Sequence, residues 1–191
     1  MDSPRPRGAR LLEAFSLKLA RRICLFDYAA FDLWTTLEAD PNVLTLCERP
    51  VRLECGSTGR LIDFWVRRRD REELLVLDDG DPPVLARMDG VTTRVVTASD
   101  LAAQSLWVAN WQRMLPVITA TRSLVPVRLT NSILNLVRGP VALSRVEHEL
   151  ALADPSLVRG AVFDLIRTGL VQAPTLRTEL LSMHTLLEPA A

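Results

Sequence analysis

Ile62-Asp63-Phe64-Trp65-Val66-Arg67-Arg68-Arg69-Asp70-Arg71-Glu72-Glu73-Leu74-Leu75-Val76-Leu77-Asp78-Asp79-Gly80-Asp81 is the stretch on which the reading of the fold turns. Ile62 to Val66 and Leu74 to Leu77 are two strand-length apolar runs, separated by the polar turn Arg67 to Glu73. The second run leads into Asp78-Asp79-Gly80-Asp81. Metal-dependent nucleases gather acidic ligands in this way, with one carboxylate on a strand and others at the end of its neighbour. Asp63, Asp78 and Asp79 are therefore candidate ligands. The same Asp/Gly/Pro-rich segment also serves as a polar strand-to-loop exit, which requires no function. Both readings stay open at this point.

Outward from this stretch, residues 1–10 read as a flexible arm, and the periodicity of Leu11, Leu12, Phe15 and Leu19 predicts a helix over 11–22. Phe31, Trp34 and Leu37 predict a second helix over 27–39, stopped by Asp40-Pro41. Strands are expected at Val43 to Cys47, Val51 to Cys55, Leu61 to Val66 and Leu74 to Leu77, with a fifth at Thr93 to Thr97. Glu48-Arg49-Pro50 and Gly56-Ser57-Thr58-Gly59 punctuate them as turns. Ala98-Ser99-Asp100 caps a helix over about 100–114, with Trp107 and Trp111 on one face. Ser144-Arg145-Val146-Glu147 has the form of a capping box. Asp154-Pro155 opens a further helix that Gly169 closes. Leu170-Val171-Gln172 and an apolar segment near Leu180 to Leu187 pair as a wing. Helix, helix, glycine and short strand is the layout of a winged-helix unit. The expected organisation is an arm and helix over 1–22, an α/β or α+β domain over 23–126, and a helical, winged-helix-like domain over 127–191.

Composition sets further bounds. The 191 residues suffice for one domain with a core, or one domain and a small appendage. Apolar residues make up 48% and the formal net charge is zero, which disfavours a stand-alone nucleic-acid binder but leaves room for local basic patches. Of 23 Lys and Arg residues only Lys18 is lysine. Arginine stays protonated and replaces a water-orienting lysine poorly. Cys24, Cys47 and Cys55 have no CxxC spacing and no nearby histidine, which points to a reduced cytoplasm and away from zinc. No stretch has the apolar length of a membrane span or signal core, so a soluble cytoplasmic protein is expected. His148 and His184 read as ordinary surface or boundary residues.

With these segments placed, the chain resembles the TnsA-type proteins, the end-cleaving nuclease subunits of certain bacterial transposons. That family carries an early helix with a catalytic glutamate, a phrase like "leaDPxVxxxxxQPv", then "PDFxV", a polar turn and "EVK". Here Leu37-Glu38-Ala39-Asp40-Pro41-Asn42-Val43, Glu48-Arg49-Pro50-Val51 and Ile62-Asp63-Phe64-Trp65-Val66 follow in that order. Val95 to Asp100 with Asn110 is similar to the family's connector, and 144–187 to its C-terminal domain. The resemblance covers roughly residues 25–187. It implies a restriction-endonuclease-like core, a mixed sheet with flanking helices, plus the winged-helix-like domain. It implies Mg²⁺ as cofactor, DNA at transposon ends as substrate, and a transposase and an AAA+ ATPase as partners.

The departures fall on the catalytic positions. The helix glutamate aligns near Ala30, with Asp27 and Asp32 close by, and the proline before Asp63 is replaced by Ile62. Asp63 matches the metal-binding aspartate. The "E" of "EVK" falls on Leu77 and its "K" on Asp79; sliding by one puts Asp78 and Gly80 there instead. Magnesium takes one or two carboxylates in a tight octahedron of oxygens and activates a bound water. Losing one transition-state electrostatic group costs on the order of 10²–10³ in rate, and two are missing here. The expectation is a catalytically impaired, TnsA-like subunit. The alternatives are an active divergent endonuclease using Asp63, Asp78, Asp79 and a helix carboxylate such as Asp32, or a non-catalytic interaction module that keeps the fold. Arg67, Arg68 and Arg69, on the turn joining the two strands, are candidate phosphate contacts beside the site. Arg138, Arg145 and Arg159 are candidates in the C-terminal domain for DNA or an acidic partner.

Overall fold

A computed structural model describes residues 10–53, 60–78, 80 and 91–190. The arm over 1–9, Cys55, the turn over 56–59, Asp79 and Asp81 lie outside the described residues. The protein is of mixed α/β type and divides into two compact units. The first takes the chain up to Glu38 and Asn42–Ala103, and the second takes Ala39–Pro41 and the chain from Gln104.

The first unit opens with a hairpin, not a helix. Strands β1 (Leu12–Ser16) and β2 (Arg21–Leu25) pair antiparallel across a turn that places Ala20 at φ 53°. The apolar residues of 11–22 satisfy a helical period, but a partner distant in sequence decides the outcome. Helix α1 (Tyr28–Ala39) carries Glu38, fully buried, whose carboxylate accepts from Ser16 Oγ at 2.7 Å and from Lys18 N at 2.9 Å. Ser16 Oγ also accepts from Leu19 N at 3.2 Å, closing the turn locally. Helix α1 starts where expected, with Asp27 Oδ1 accepting from Ala30 N at 2.6 Å as a cap, and stops before Asp40-Pro41.

Four strands form the main sheet: β3 (Val43–Glu48), β6 (Phe64–Arg68), β7 (Glu72–Leu77) and β8 (Thr92–Val96), in that spatial order. Between β3 and β6 in sequence, β4 (Arg52–Leu53) and β5 (Arg60–Leu61) make a separate short pair. The pairs β3/β6 and β6/β7 are antiparallel, and β7/β8 is parallel. Both faces are apolar. Leu46, Phe64, Val66, Leu75 and Val96 line one, each at most 3% exposed. Ile62, Leu74 and Val76 cluster on the other, with Trp65 and Val91 packed against them. Burial on both sides explains why Leu74 to Leu77 reads as a continuous apolar run without alternation.

The helix expected over 100–114 is two helices. Helix α2 (Ala98–Ala102) is capped by Thr97 in a reciprocal box with Asp100, and hydrogen bonds from the Thr97 backbone N–H and hydroxyl hold the Asp100 carboxyl below its usual range. Helix α3 (Ser105–Thr121) belongs to the second unit, so the division falls at Gln104 and not at 127. The reason is packing. Helix α3 lies against α6 (Pro155–Arg167) so closely that a Cβ on Gly160 would stand 2.0 Å from Thr121 Oγ1. Asn110, fully buried on α3, donates to Leu176 O and Glu179 O and accepts from Leu181 N, each at 2.8 Å.

Between them lie α4 (Val127–Leu136), β9 (Val141–Ala142) and α5 (Leu143–Glu149); after α6 come β10 (Val171–Gln172), a 3-10 turn (Pro174–Arg177) and β11 (Leu186–Pro189). The three short strands form an antiparallel sheet in the order β10-β11-β9. Asp154 caps α6 through Ser156 N at 2.7 Å, and Gly169 follows it at φ 77°, as the sequence leads one to expect. The capping box at Ser144 is not formed. Helix α5 begins at Leu143, whose N–H donates to Thr185 O at 3.0 Å, and Ser144 N donates to Met183 O at 2.9 Å. Backbone carbonyls satisfy these helix-end donors, and Glu147 binds Arg159 instead. Among the described residues no helix is long and apolar enough to cross a membrane.

Glu38→Ala is expected to destabilise the protein by roughly 2–5 kcal/mol, because buried Ser16 Oγ and the part-buried Lys18 N lose their acceptor. Glu38→Gln, which keeps one acceptor oxygen, is expected to cost clearly less. Urea denaturation of the two variants checks this ordering.

Candidate functional site

The candidate site lies where β6 begins and β7 ends. Asp63 precedes β6 in a bend whose backbone is held on both sides: Arg49 N donates to Asp63 O at 2.8 Å and Asp63 N donates to Leu75 O at 3.1 Å. The register pairs Phe64 with Leu75, which carries Asp63 to the end of β7. There Asp63 Oδ2 accepts from Leu77 N at 2.7 Å. The residues aligned with the family's paired acids thus come together in space, and a half-buried leucine stands in the second position.

Asp78 leaves the sheet. Its N–H donates to Val96 O at 2.9 Å, and its exposed side chain turns back to accept from Gly80 N at 3.0 Å, with Gly80 at φ 88°. This is an Asx-type turn, the strand exit that the sequence also allowed. Asp79 lies outside the described residues. Asp32 is half-buried in the middle of α1, and Ala30, aligned with the family's helix glutamate, is a buried methyl. Among the described residues, no three His, Cys, Asp or Glu stand together in a group able to hold a metal ion. A magnesium site needs carboxylate oxygens converging on one octahedron. Asp63 binding an amide, an apolar Leu77 and an outward Asp78 do not fit that requirement.

Lys18 is also misplaced for the water-orienting role. Its Nζ donates to Val43 O at 2.7 Å. Val43 pairs with Arg68, at the other end of β6 from Asp63. At about 3.3 Å per residue, that is about 16 Å away.

The same arithmetic moves the arginine run. The Arg67–Arg71 turn joins the ends of β6 and β7 opposite to Asp63, so it does not lie beside the carboxylate. Arg67 and Arg69 are exposed there, whereas Arg68 is held in an ion pair with Glu73. In the second unit Arg138 is exposed and donates to Asn135 Oδ1 at 2.8 Å. Arg145 is exposed beside Glu149, at 3.8 Å, on the rim of a shallow groove between α4, β9 and α5. Arg159 grips Glu147 through two nitrogens at 2.6 and 3.1 Å, and that carboxylate raises the guanidinium's already high pKa.

Sequence reading passed over two carboxylates. Glu38 and Glu73 are 0% and 4% exposed, far outside the habit of glutamate. A signal existed for each: Glu38 falls four residues after the buried Trp34 on α1, and Glu73 two before the buried Leu75 on β7. No family model matches the chain, and no curated protein matches it.

Asp63→Ala is expected to cost about 1–3 kcal/mol by stranding the Leu77 N–H, with Asp63→Asn milder because its carboxamide oxygen still accepts. Chemical denaturation with and without Mg²⁺ distinguishes this role from a metal ligand, since a structural carboxylate gives the same losses in both.

Proposed function

We propose that the chain is a TnsA-like subunit of a bacterial transposition machinery, with a restriction-endonuclease-like core and a winged-helix-like C-terminal domain, and that it does not cleave DNA. It acts at transposon DNA ends in company with a transposase and an AAA+ ATPase. The observation that carries this reading is the contact between Asp63 and Leu77 in a mixed sheet. The register brings the two acid positions of the resemblance together, and one of them is apolar. A chain of this ancestry that lacks the second acid, the helix glutamate and the lysine keeps the means to be recognised by its assembly and loses the means to activate water.

The second unit supports a docking role. The succession α4, β9, α5, α6, β10, β11, with β11 central in its sheet, supports the winged-helix reading, in which α6 would take the place of the groove-reading helix. Val158, Gly160, Ala161, Val162, Phe163, Leu165 and Ile166 of α6 are buried, α3 closes on Gly160, and Arg159 is bound to Glu147. A helix so enclosed has little surface to present to a major groove. The wing segment is likewise tied to α3 through Asn110. We therefore assign this domain to protein partners, with DNA contact made in the assembly.

The test is nicking of a plasmid carrying transposon ends, with Mg²⁺ or Mn²⁺ and with the transposase and ATPase of the same element. The expected result is no nicking attributable to this chain, with a preference for end DNA over other DNA only when the partners are present. Metal-dependent nicking that Asp63→Ala abolishes would overturn the non-cleaving assignment. Partner capture with no recruitment to DNA would reduce the chain to an interaction module.

A further inference from the structure

We infer that a patch formed by the β6–β7 turn and the edge strand β8 is a phosphate-backbone contact site for nucleic acid, built on Arg71 and Arg94 and anchored by Glu73. On β7, Glu73 is only 4% exposed, a costly position for a carboxylate unless cations surround it. Three arginines from neighbouring segments do so. Arg68 at the end of β6 binds it through Nε, with its side chain 14% exposed. Arg71, from the turn, approaches Glu73 Oε1 through Nε at 3.5 Å, and Arg94, on β8, approaches Oε2 through Nε at 3.6 Å. The register explains the convergence: Glu73 lies opposite Val66 on one side and Thr92 on the other, so residues two positions along β6 and β8 fall on the same face.

One carboxylate cannot neutralise three guanidiniums. Arg71 and Arg94 remain 56% and 54% exposed. Asp70 meets Arg71 at 3.0 Å, but that pair is exposed on both sides and is therefore weak and screened. Arg71 and Arg94 each meet Glu73 through Nε, which anchors the inner side of the guanidinium. Planar guanidiniums with a fixed inner edge suit phosphate oxygens, which they bind in forked pairs. A protein partner fits less well. Interfaces between proteins centre on buried aromatic and aliphatic anchors, and the tip Arg67 to Arg71 contains no apolar residue. Glu73 pairs with Val66, three residues along β6 from Asp63, or about 10 Å.

The experiment is a fluorescence-anisotropy titration of the full chain with a labelled duplex of arbitrary sequence over a range of salt concentrations. Arg71→Gln/Arg94→Gln leaves the Arg68–Glu73 pair in place, and its fold is checked by circular dichroism and thermal melting. The expected result is uniformly weaker binding, with the slope of log Kobs against log salt reduced in magnitude by about 1.8, or about 0.9 for each single substitution. Arg128→Gln, at an exposed position on α4 of the second unit, should leave both affinity and slope unchanged. Because the duplex carries no transposon end and no partner is present, this outcome is independent of the transposition reading. An unchanged slope in the folded double variant overturns the proposal. So does an equal loss of binding to a polyglutamate peptide, which would make the cluster an acidic-protein surface.

Discussion

Antiparallel pairing of β6 with β7 is the constraint from which both ends of the first unit follow. Pairing Phe64 with Leu75 and Val66 with Glu73 sets which residues share a face along the whole ladder. A slip of one position would send Phe64, Val66 and Leu75 to the opposite face and lose a core side buried almost completely. With that register in place, Asp63 must meet the end of β7, and Arg68 must meet Glu73. One hairpin thus creates a carboxylate–amide contact at one end and a guanidinium–carboxylate cluster at the other.

The acids of this unit are held by local partners. Glu38 holds the β1–β2 turn, Asp63 holds the Leu77 N–H, and Glu73 holds three arginines. In each case the carboxylate takes the place of water that burial has removed, and the polar groups it binds would be costly to leave unpaired. A metal ligand has the opposite requirement, with several carboxylates aimed at a common point. Leu77 offers no carboxylate for such convergence, and Asp78 turns away into its own loop. The polar groups at this end of the sheet serve the fold.

Buried contacts fix the second unit as well. Helix α6 is buried along most of its length because α3 packs on it through Gly160, where only the absent side chain permits the approach. Asn110 then fastens the segment at 176–181 to α3 by three hydrogen bonds from one buried amide. That side chain satisfies backbone groups that a short irregular segment cannot pair by itself.

Local signals in the sequence determined a good part of this architecture. Asp27 and Asp40-Pro41 bound α1, Asp154-Pro155 and Gly169 bound α6, and the apolar runs around the arginine turn locate β6 and β7. Each of these acts within a few residues through a cap, a fixed φ or a side-chain period, so it is legible in the chain itself. Tertiary structure decided the rest. Residues 11–22 satisfy a helical period, yet they form a hairpin because Glu38, sixteen or more residues away, supplies acceptors to its turn. The box at Ser144 gives way to carbonyls of Met183 and Thr185. Arg67 to Arg69 adjoin the candidate strands in sequence but lie at their far end, and Leu77 is recognisable as a neighbour of Asp63 only once the register is known. Partners that are distant along the chain leave no local trace, and burial gives their few hydrogen bonds enough weight to override propensity.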